Sequence, residues 1–391
     1  MKILSVAWYI YDKQLPPTVS ILNGGGIAIR DITEYVGRTE ESWLFLGRGL
    51  MPAAQVGHIH IVDTERLCDP EQLCTYQETN DNSLRLRMLL ACFSRALEDL
   101  CPDIVNFQGV GEFMLLCIDY CRAHGIPYLV TDHLFVGQEP PAGYESLALL
   151  ENQLFHTPDL RAIAVSTGMK NKILQAYPQI PAANIVSIPN GSAAVAAPLR
   201  KDIRQLHALK GKRVLLCVGT LLERKNQKQI VRAFTNLPVA LQAQLCVLFC
   251  GPDRLNGQLQ QLIYELDCEN AMICTGLIPE QDMGDYYAVA DGLISASRAE
   301  GLSLAYLEAL KHGKPVIMFA DSECATDLTD PYAICFAKEP TDQSLSSAIL
   351  EWSQTPWDAR YISAYADQFR METVAQKYIE CYCRILGSTH K

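Results

Sequence analysis

The chain has 391 residues, 49% of them hydrophobic and 20% charged, with a formal net charge of −11. That length and balance suit a folded protein of two ordinary domains and exclude a disordered chain. The acidic balance, with no basic cluster denser than Lys210-Gly211-Lys212-Arg213, argues against nucleic acid as a partner. No apolar run reaches bilayer length, and Met1-Lys2-Ile3-Leu4-Ser5-Val6 turns β-like too early for a secretion signal. Of the fifteen cysteines, Cys217, Cys246, Cys250 and Cys274 lie inside apolar runs, where a thiol acts as a small hydrophobe. There is no Cys-x-x-Cys, and Cys381 and Cys383 on one helix point to different faces. The expectation is free thiols, no metal site and a reducing, cytoplasmic setting.

In chain order, β-like runs at Ile3–Trp8, Trp43–Leu46, Ile59–Val62, Ile104–Phe107, Tyr128–Thr131 and Ala162–Val165 alternate with helical patterns. The helices are expected at Ile27–Val36, Leu84–Leu100, Glu112–Ala123, Glu145–Phe155 and Met169–Ala176. The Pro- and Ala-rich stretch Ile188–Pro198 reads as a linker. A second set of strands follows at Arg213–Val218, Leu245–Cys250, Met272–Cys274, Leu293–Ser295, Val316–Phe319 and Ala333–Phe336, with helices between and a closing helix over Glu372–Leu386. This alternation predicts an α/β protein of two Rossmann-like domains facing across a cleft. Their expected bounds are residues 1–195, with the terminal helix at 370–387, and residues 196–369.

The segment Glu300-Gly301-Leu302-Ser303-Leu304-Ala305-Tyr306-Leu307-Glu308 follows a short buried strand and opens a helix. Ser303 is a natural N-cap, and Gly313 with Pro315 ends the helix. A helix N-terminus offers unpaired N–H groups to a phosphate, Gly301 permits close approach, and carboxylates accept hydrogen bonds from sugar hydroxyls. Alone, Glu-x7-Glu equally describes an ordinary capped helix with solvated glutamates. Upstream, Val218-Gly219-Thr220-Leu221-Leu222-Glu223-Arg224-Lys225-Asn226 places two adjacent cations after a strand and before a helix. A guanidinium beside an ammonium suits a diphosphate, and cations at a helix start are mildly unfavourable without an anion. Asn23-Gly24-Gly25-Gly26 reads as a glycine loop ahead of a helix and departs from G-x-G-x-x-G, against a nicotinamide cofactor.

Together with Ala164-Val165-Ser166, Ile188-Pro189-Asn190-Gly191 and the order of all these motifs, the chain resembles the GT-B glycosyltransferases, specifically the retaining glycosyltransferase family 4, along nearly its whole length. The resemblance implies a GT-B fold whose terminal helix crosses back to the N-terminal domain. It implies transfer of a hexose-type sugar from a UDP- or GDP-linked donor to an acceptor hydroxyl, with retention of configuration and no required metal or other cofactor. Glu308 would hold the ribose and Glu300 the donor hexose, with Gly301, Leu302 and Ser303 beside sugar and phosphate. Arg224 and Lys225, with Gly219 and Thr220, would meet the diphosphate. Gly25 and Gly26 would lie near phosphates and acceptor, and His133, in Thr131-Asp132-His133, matches the histidine that touches the donor sugar. Many relatives carry arginine where Thr220 stands, and Arg224 would supply that charge. Alternatives are a nucleotide-sugar epimerase, or a non-catalytic nucleotide-sugar-binding partner subunit, though the latter should have lost one of the charged pairs.

Two surface features stay open at this level. Leu84–Arg95, apolar on one face with three arginines, suits either a core helix or a lipid-docking one, and the core reading is favoured. The acceptor would be read by Tyr9–Asn23, Gly47–Gln55 and Phe135–Tyr144, where Trp8, Tyr9, Tyr11 and Tyr144 offer rings for stacking or packing.

Overall fold

The computed structural model describes residues 1–69, 74–76, 79–137, 139–193 and 200–389. The chain divides into two compact units. Met1–Val165, Met169–Asn190 and Met371–Lys391 form the first, and Ser166–Gly168 with Gly191–Arg370 form the second.

Among the described residues the first unit holds eight strands: β1 (Lys2–Ala7), β2 (Glu41–Leu46), β3 (Ala54–Val56), β4 (Ile59–Ile61), β5 (Ile104–Gln108), β6 (Tyr128–Asp132), β7 (Ala162–Ala164) and β8 (Ile185–Ser187). They lie in the order β3-β4-β2-β1-β5-β6-β7-β8. Every pairing is parallel except β3 with β4, an antiparallel edge. The second unit holds β9 (Arg213–Val218), β10 (Leu245–Cys250), β11 (Met272–Gly276), β12 (Gly292–Ile294), β13 (Val316–Phe319) and β14 (Ile334–Ala337) in the all-parallel order β11-β10-β9-β12-β13-β14. Counted from β9, this is the Rossmann order 3-2-1-4-5-6, which reverses between β9 and β12.

Parallel strands covered on both faces must be apolar throughout, which is why β10 (Leu-Cys-Val-Leu-Phe-Cys) is buried at all six positions. Each unit packs its own core. Phe45, Phe93, Phe107 and Phe113 interlock in the first, and Leu215, Val247, Phe249, Ile294 and Ile317 line one face of the sheet in the second. The helix Asn82–Leu100 buries Leu86, Met88, Leu89, Cys92, Phe93, Ala96 and Leu97 in that first core, so its apolar face is already covered. Among the described residues, no helix is long and apolar enough to cross a membrane. All fifteen cysteines are free thiols.

The terminal helix Met371–Thr389 belongs to the first unit. Val374, Ala375, Tyr378, Cys381, Tyr382 and Ile385 bury against Ile3, Ile32, Ile104, Leu129 and Ile163. Inside that layer the Tyr382 hydroxyl accepts from Asn106 Nδ2 at 2.8 Å, and Asn106 Oδ1 accepts from the Thr131 hydroxyl at 2.9 Å. A polar chain crosses an apolar seam with its members satisfied, which fixes the register of the helix.

Two sequence expectations are corrected. Gly24–Gly26 are no loop; they form the first turn of the helix Gly24–Gly37, because the Asn23 side chain caps it by accepting from the Gly26 N–H at 2.8 Å. Ile188 is no linker residue: it is 2% exposed, and its N–H donates to Ala164 O at 3.0 Å. The long second-unit segment Gly191–Arg370 begins at Asn190–Gly191, and residues 194–198 of the expected linker lie outside the described residues. The short strands β3 and β8 went unread, each being only three residues long. Gln138, in one of the expected acceptor loops, also lies outside the described residues.

Candidate functional site

The two charged motifs end adjacent strands. β9 runs parallel to β12, pairing Leu216 with Leu293. The loop after β9 carries Gly219 to Asn226, and the loop after β12 carries Ser295 to Ser303. Both therefore leave the carboxyl ends of the sheet at its topological switch point, the place where open α/β sheets bind ligands.

The β9 loop is shaped by glycine. Gly219 takes φ +135°, and its N–H donates to Cys250 O at 2.9 Å. A Cβ on Gly251 would stand 2.1 Å from Gly219 O, so the two loops approach at backbone contact. The Thr220 carbonyl accepts from Gln227 Nε2 at 3.0 Å, which ties the loop to the helix Gln227–Thr235. Between them Glu223–Lys225 forms a short 3₁₀ turn, stopped by Asn226 in the left-handed region at φ +52°.

That turn presents Arg224 and Lys225 to Glu300. The Glu300 Oε1 atom takes Lys225 Nζ, the Ser297 hydroxyl at 2.9 Å and Arg224 Nη1 at 3.3 Å. Arg224 also bonds the Ala299 carbonyl, and its own carbonyl accepts from Arg298 N–H at 2.9 Å. The Glu300 N–H donates to the Glu323 carboxylate at 3.3 Å. Glu300 is 9% exposed. Burial pushes its pKa up, but the Lys225 and Arg224 charges outweigh burial and hold the carboxyl below its usual range. All three donors converge on Oε1, and no described residue donates to Oε2. The carboxylate is thus locked in orientation with one oxygen left to accept from a ligand.

Glu308 stands in the second turn of the helix Leu304–Lys311, partly buried. Its Oε2 accepts from the Tyr287 hydroxyl at 2.6 Å. Ser303 occupies the N-cap position in extended conformation, but its side chain makes no capping bond, so the expected cap is positional only. Gly313, at φ +69°, ends the helix as expected. Gly301 and Leu302 are buried in the loop before it.

The remaining candidates belong to the first unit. Gly26 is buried, and its N–H is spent on Asn23. A Cβ there would stand 2.9 Å from Ile21 O, so this glycine serves packing; nothing lies within 4 Å of a Cβ at Gly24. Gly25 is partly exposed in the same turn. His133 follows β6, with Nε2 against Gln108 Oε1 at 2.9 Å and Nδ1 buried without a partner. Since a carboxamide oxygen only accepts, Nε2 carries the hydrogen. Burial pushes the imidazole pKa down to about 4, so the ring is neutral at pH 7. Of the stacking candidates, Trp8 is 38% exposed and leans on Phe113, and the Tyr9 hydroxyl accepts from Asn23 Nδ2.

Sequence reasoning missed Ser297, Glu323 and Tyr287 around the glutamates, Gln108 against His133, and Glu151, which accepts from the Val136 and Gly137 N–H groups and faces Asp132. Glu323 lies just after β13, where the carboxyl-end rule could have flagged it; the others carry no local signal. Among the described residues no cluster of His, Cys, Asp and Glu is arranged to hold a metal ion.

Two parallel α/β units of this topology define the GT-B fold, and solved structures agree. Anabaena HepE in complex with UDP-glucose superposes with a TM-score of 0.72 at 18% identity, covering 98% of this chain and 100% of that one. Sucrose-phosphate synthase from Thermosynechococcus elongatus gives 0.74 at 15% identity over 99% and 100%. The family model for glycosyl transferases group 1 matches residues 200–369, and that for glycosyltransferase family 4 matches residues 72–192. The chain belongs to these group 1, family 4 glycosyltransferases. Among curated relatives, the alpha-monoglucosyldiacylglycerol synthase of Streptococcus pneumoniae is 30% identical over 118 residues, 30% of this chain and 26% of that protein. The matches span roughly a quarter to under a half of the curated relatives' own length.

Proposed function

We propose that this protein transfers a hexose-type sugar from a nucleoside-diphosphate sugar, UDP- or GDP-linked, to an acceptor hydroxyl with retention of configuration. The observation that carries this reading is the Glu300 cluster: one buried carboxylate and two cations at the switch point of the second sheet. Arg224 and Lys225 suit a diphosphate, and the Glu300 Oε2 suits a hydroxyl of the transferred sugar. Glu308 accepts from the ribose. HepE, solved with UDP-glucose, supports a donor of this class.

In this reading the donor diphosphate takes over the two cations that Glu300 holds without ligand. The acceptor oxygen forms its bond to the anomeric carbon as the bond to the leaving phosphate oxygen breaks. The electron pair leaves with the diphosphate, and the hydroxyl proton passes to that same phosphate oxygen. Arg224 and Lys225 stabilise the charge that develops there, a task which in this proposal needs no metal. The family resemblance alone supports the roles assigned to Gly25, Gly26 and His133.

The test is a panel of nucleotide sugars, followed by free nucleotide release with and without EDTA and by thermal shift against uridine and guanosine diphosphates. Transfer unaffected by EDTA supports the proposal. Failure to bind any nucleotide sugar would sink it, and binding without turnover on any acceptor would favour a non-catalytic binder.

A further inference from the structure

Glu308 has three rotatable side-chain bonds and projects from a helix in the second unit. As the ribose acceptor it must hold one carboxylate orientation, and ordering such a chain on binding weakens a ligand. The structure shows what orders it beforehand. The Tyr287 ring, 2% exposed on the helix Glu280–Val289, reaches across to Glu308 and donates its hydroxyl to Oε2 at 2.6 Å, a charge-assisted length. The same ring stacks on His312 with centroids 5.1 Å apart and planes 22° from parallel. His312 in turn donates Nδ1–H to the Glu308 carbonyl at 2.8 Å. Burial holds the imidazole pKa below its usual value, which suits a neutral ring with its hydrogen on Nδ1. Burial and the neighbouring Glu308 charge together push the phenol well up, so the hydroxyl keeps its proton and stays a donor.

We infer that Tyr287 is a positioning residue that fixes the Glu308 carboxylate for the ribose and thereby sets discrimination between ribo- and deoxyribonucleotides. The inference rests on reading Glu308 as the ribose acceptor. Tyr287 thereby holds the Oε2 end of the carboxylate in place. Tyr287 touches no ligand itself and acts through Glu308.

The test uses Tyr287→Phe, which keeps the stack and removes one hydroxyl. Wild type and variant are titrated with uridine and guanosine diphosphates and with their 2′-deoxy and 3′-deoxy forms. The variant should bind the ribonucleotide about tenfold more weakly, as expected for one charge-assisted hydrogen bond, while the deoxy form lacking the contacted hydroxyl changes little. The ribose-to-deoxyribose preference then falls towards one. Unchanged affinity, or equal weakening of all forms, overturns the inference, because a merely structural tyrosine would move them together. Should Tyr287→Phe melt below the assay temperature, 3-fluorotyrosine at position 287 keeps the shape and donates more strongly. It should raise the preference, and no change would overturn the inference. A wild type that binds neither diphosphate fails the reading of Glu308 itself, a result distinct from either outcome above.

Discussion

At the residue scale the two glutamates differ in what holds them. Glu300 is bound to cations, Glu308 to a neutral phenol. Glu300→Ala should lower kcat about a hundredfold or more, as removal of a transition-state contact does. It should leave nucleoside diphosphate affinity unchanged or tighter, because Arg224 and Lys225 lose their resident anion. Glu308→Ala should instead weaken the nucleotide about tenfold with a smaller loss in kcat. Titration calorimetry beside steady-state kinetics separates the two, and parallel losses in both variants would count against the assignment. A second residue pair sets a pH window. Burial raises Glu151 to about 7 from 4.5 despite backbone N–H bonds from Val136 and Gly137, and it faces Asp132, whose carboxyl burial also pushes well up. With the folded pKa raised, its stabilising share is complete below 4.5 and is lost as pH rises through 7, up to about 3 kcal/mol. His133 works the other way: depressed to about 4 from 6.5, its share is complete above 6.5 and is lost as pH falls through 4. Denaturation across pH 4 to 8 should show Glu151→Gln flattening the alkaline side and His133→Asn the acid side; unchanged slopes would refute both. The glutamate and cation motifs were legible because each is a local run at a strand end. Tyr287 and Glu151 were not, since each meets its partner only after the chain has passed through other elements.

At the element scale, strand and helix interiors were plain in the sequence, and ends were set by capping. The pattern placed Arg213–Val218, Leu245–Cys250, Val316–Phe319, Glu112–Ala123 and Glu145–Phe155 with the bounds observed, because apolar runs and periodic faces fill them. It missed the glycine turn of Gly24–Gly37, where propensity opposes a helix and one asparagine bond together with packing overrides it. The glycines of that turn make a sharp comparison. Gly24→Ala has open space at a helical position and should stabilise the protein by about 0.5–1 kcal/mol. Gly26→Ala meets backbone at 2.9 Å and should destabilise it by roughly 1–3 kcal/mol. Urea denaturation of the pair checks the sign, and equal effects would mean the turn gives way. Gly251→Ala, with backbone at 2.1 Å, must displace the Gly219 loop. It should therefore reduce nucleotide binding as well as stability, whereas Gly24→Ala should leave binding untouched.

At the scale of the whole molecule, the division into two α/β units was legible because the strand–helix alternation restarts at Arg213. Where the chain returns to the first unit was legible only through resemblance, since nothing local in Met371–Thr389 says which core its apolar face will fill. The structure supplies the cause in the buried tyrosines of that helix. Tyr378 and Tyr382 lie against the first sheet, and the Tyr382 hydroxyl satisfies Asn106, which in turn holds Thr131. Tyr382→Phe would leave the Asn106 amide buried without that partner, a cost of about 1–3 kcal/mol. Asn106→Leu in the same background removes the orphaned amide and should recover part of the loss, as replacing both partners by apolar groups does. Each unit has its own core, so the cost should fall on one unit alone. Hydrogen exchange of Tyr382→Phe should show faster exchange in β1, β5, β6 and the terminal helix, with protection in β9, β10, β12 and β13 unchanged. Uniform acceleration across both sets of strands would instead show that the two cores unfold as one cooperative body.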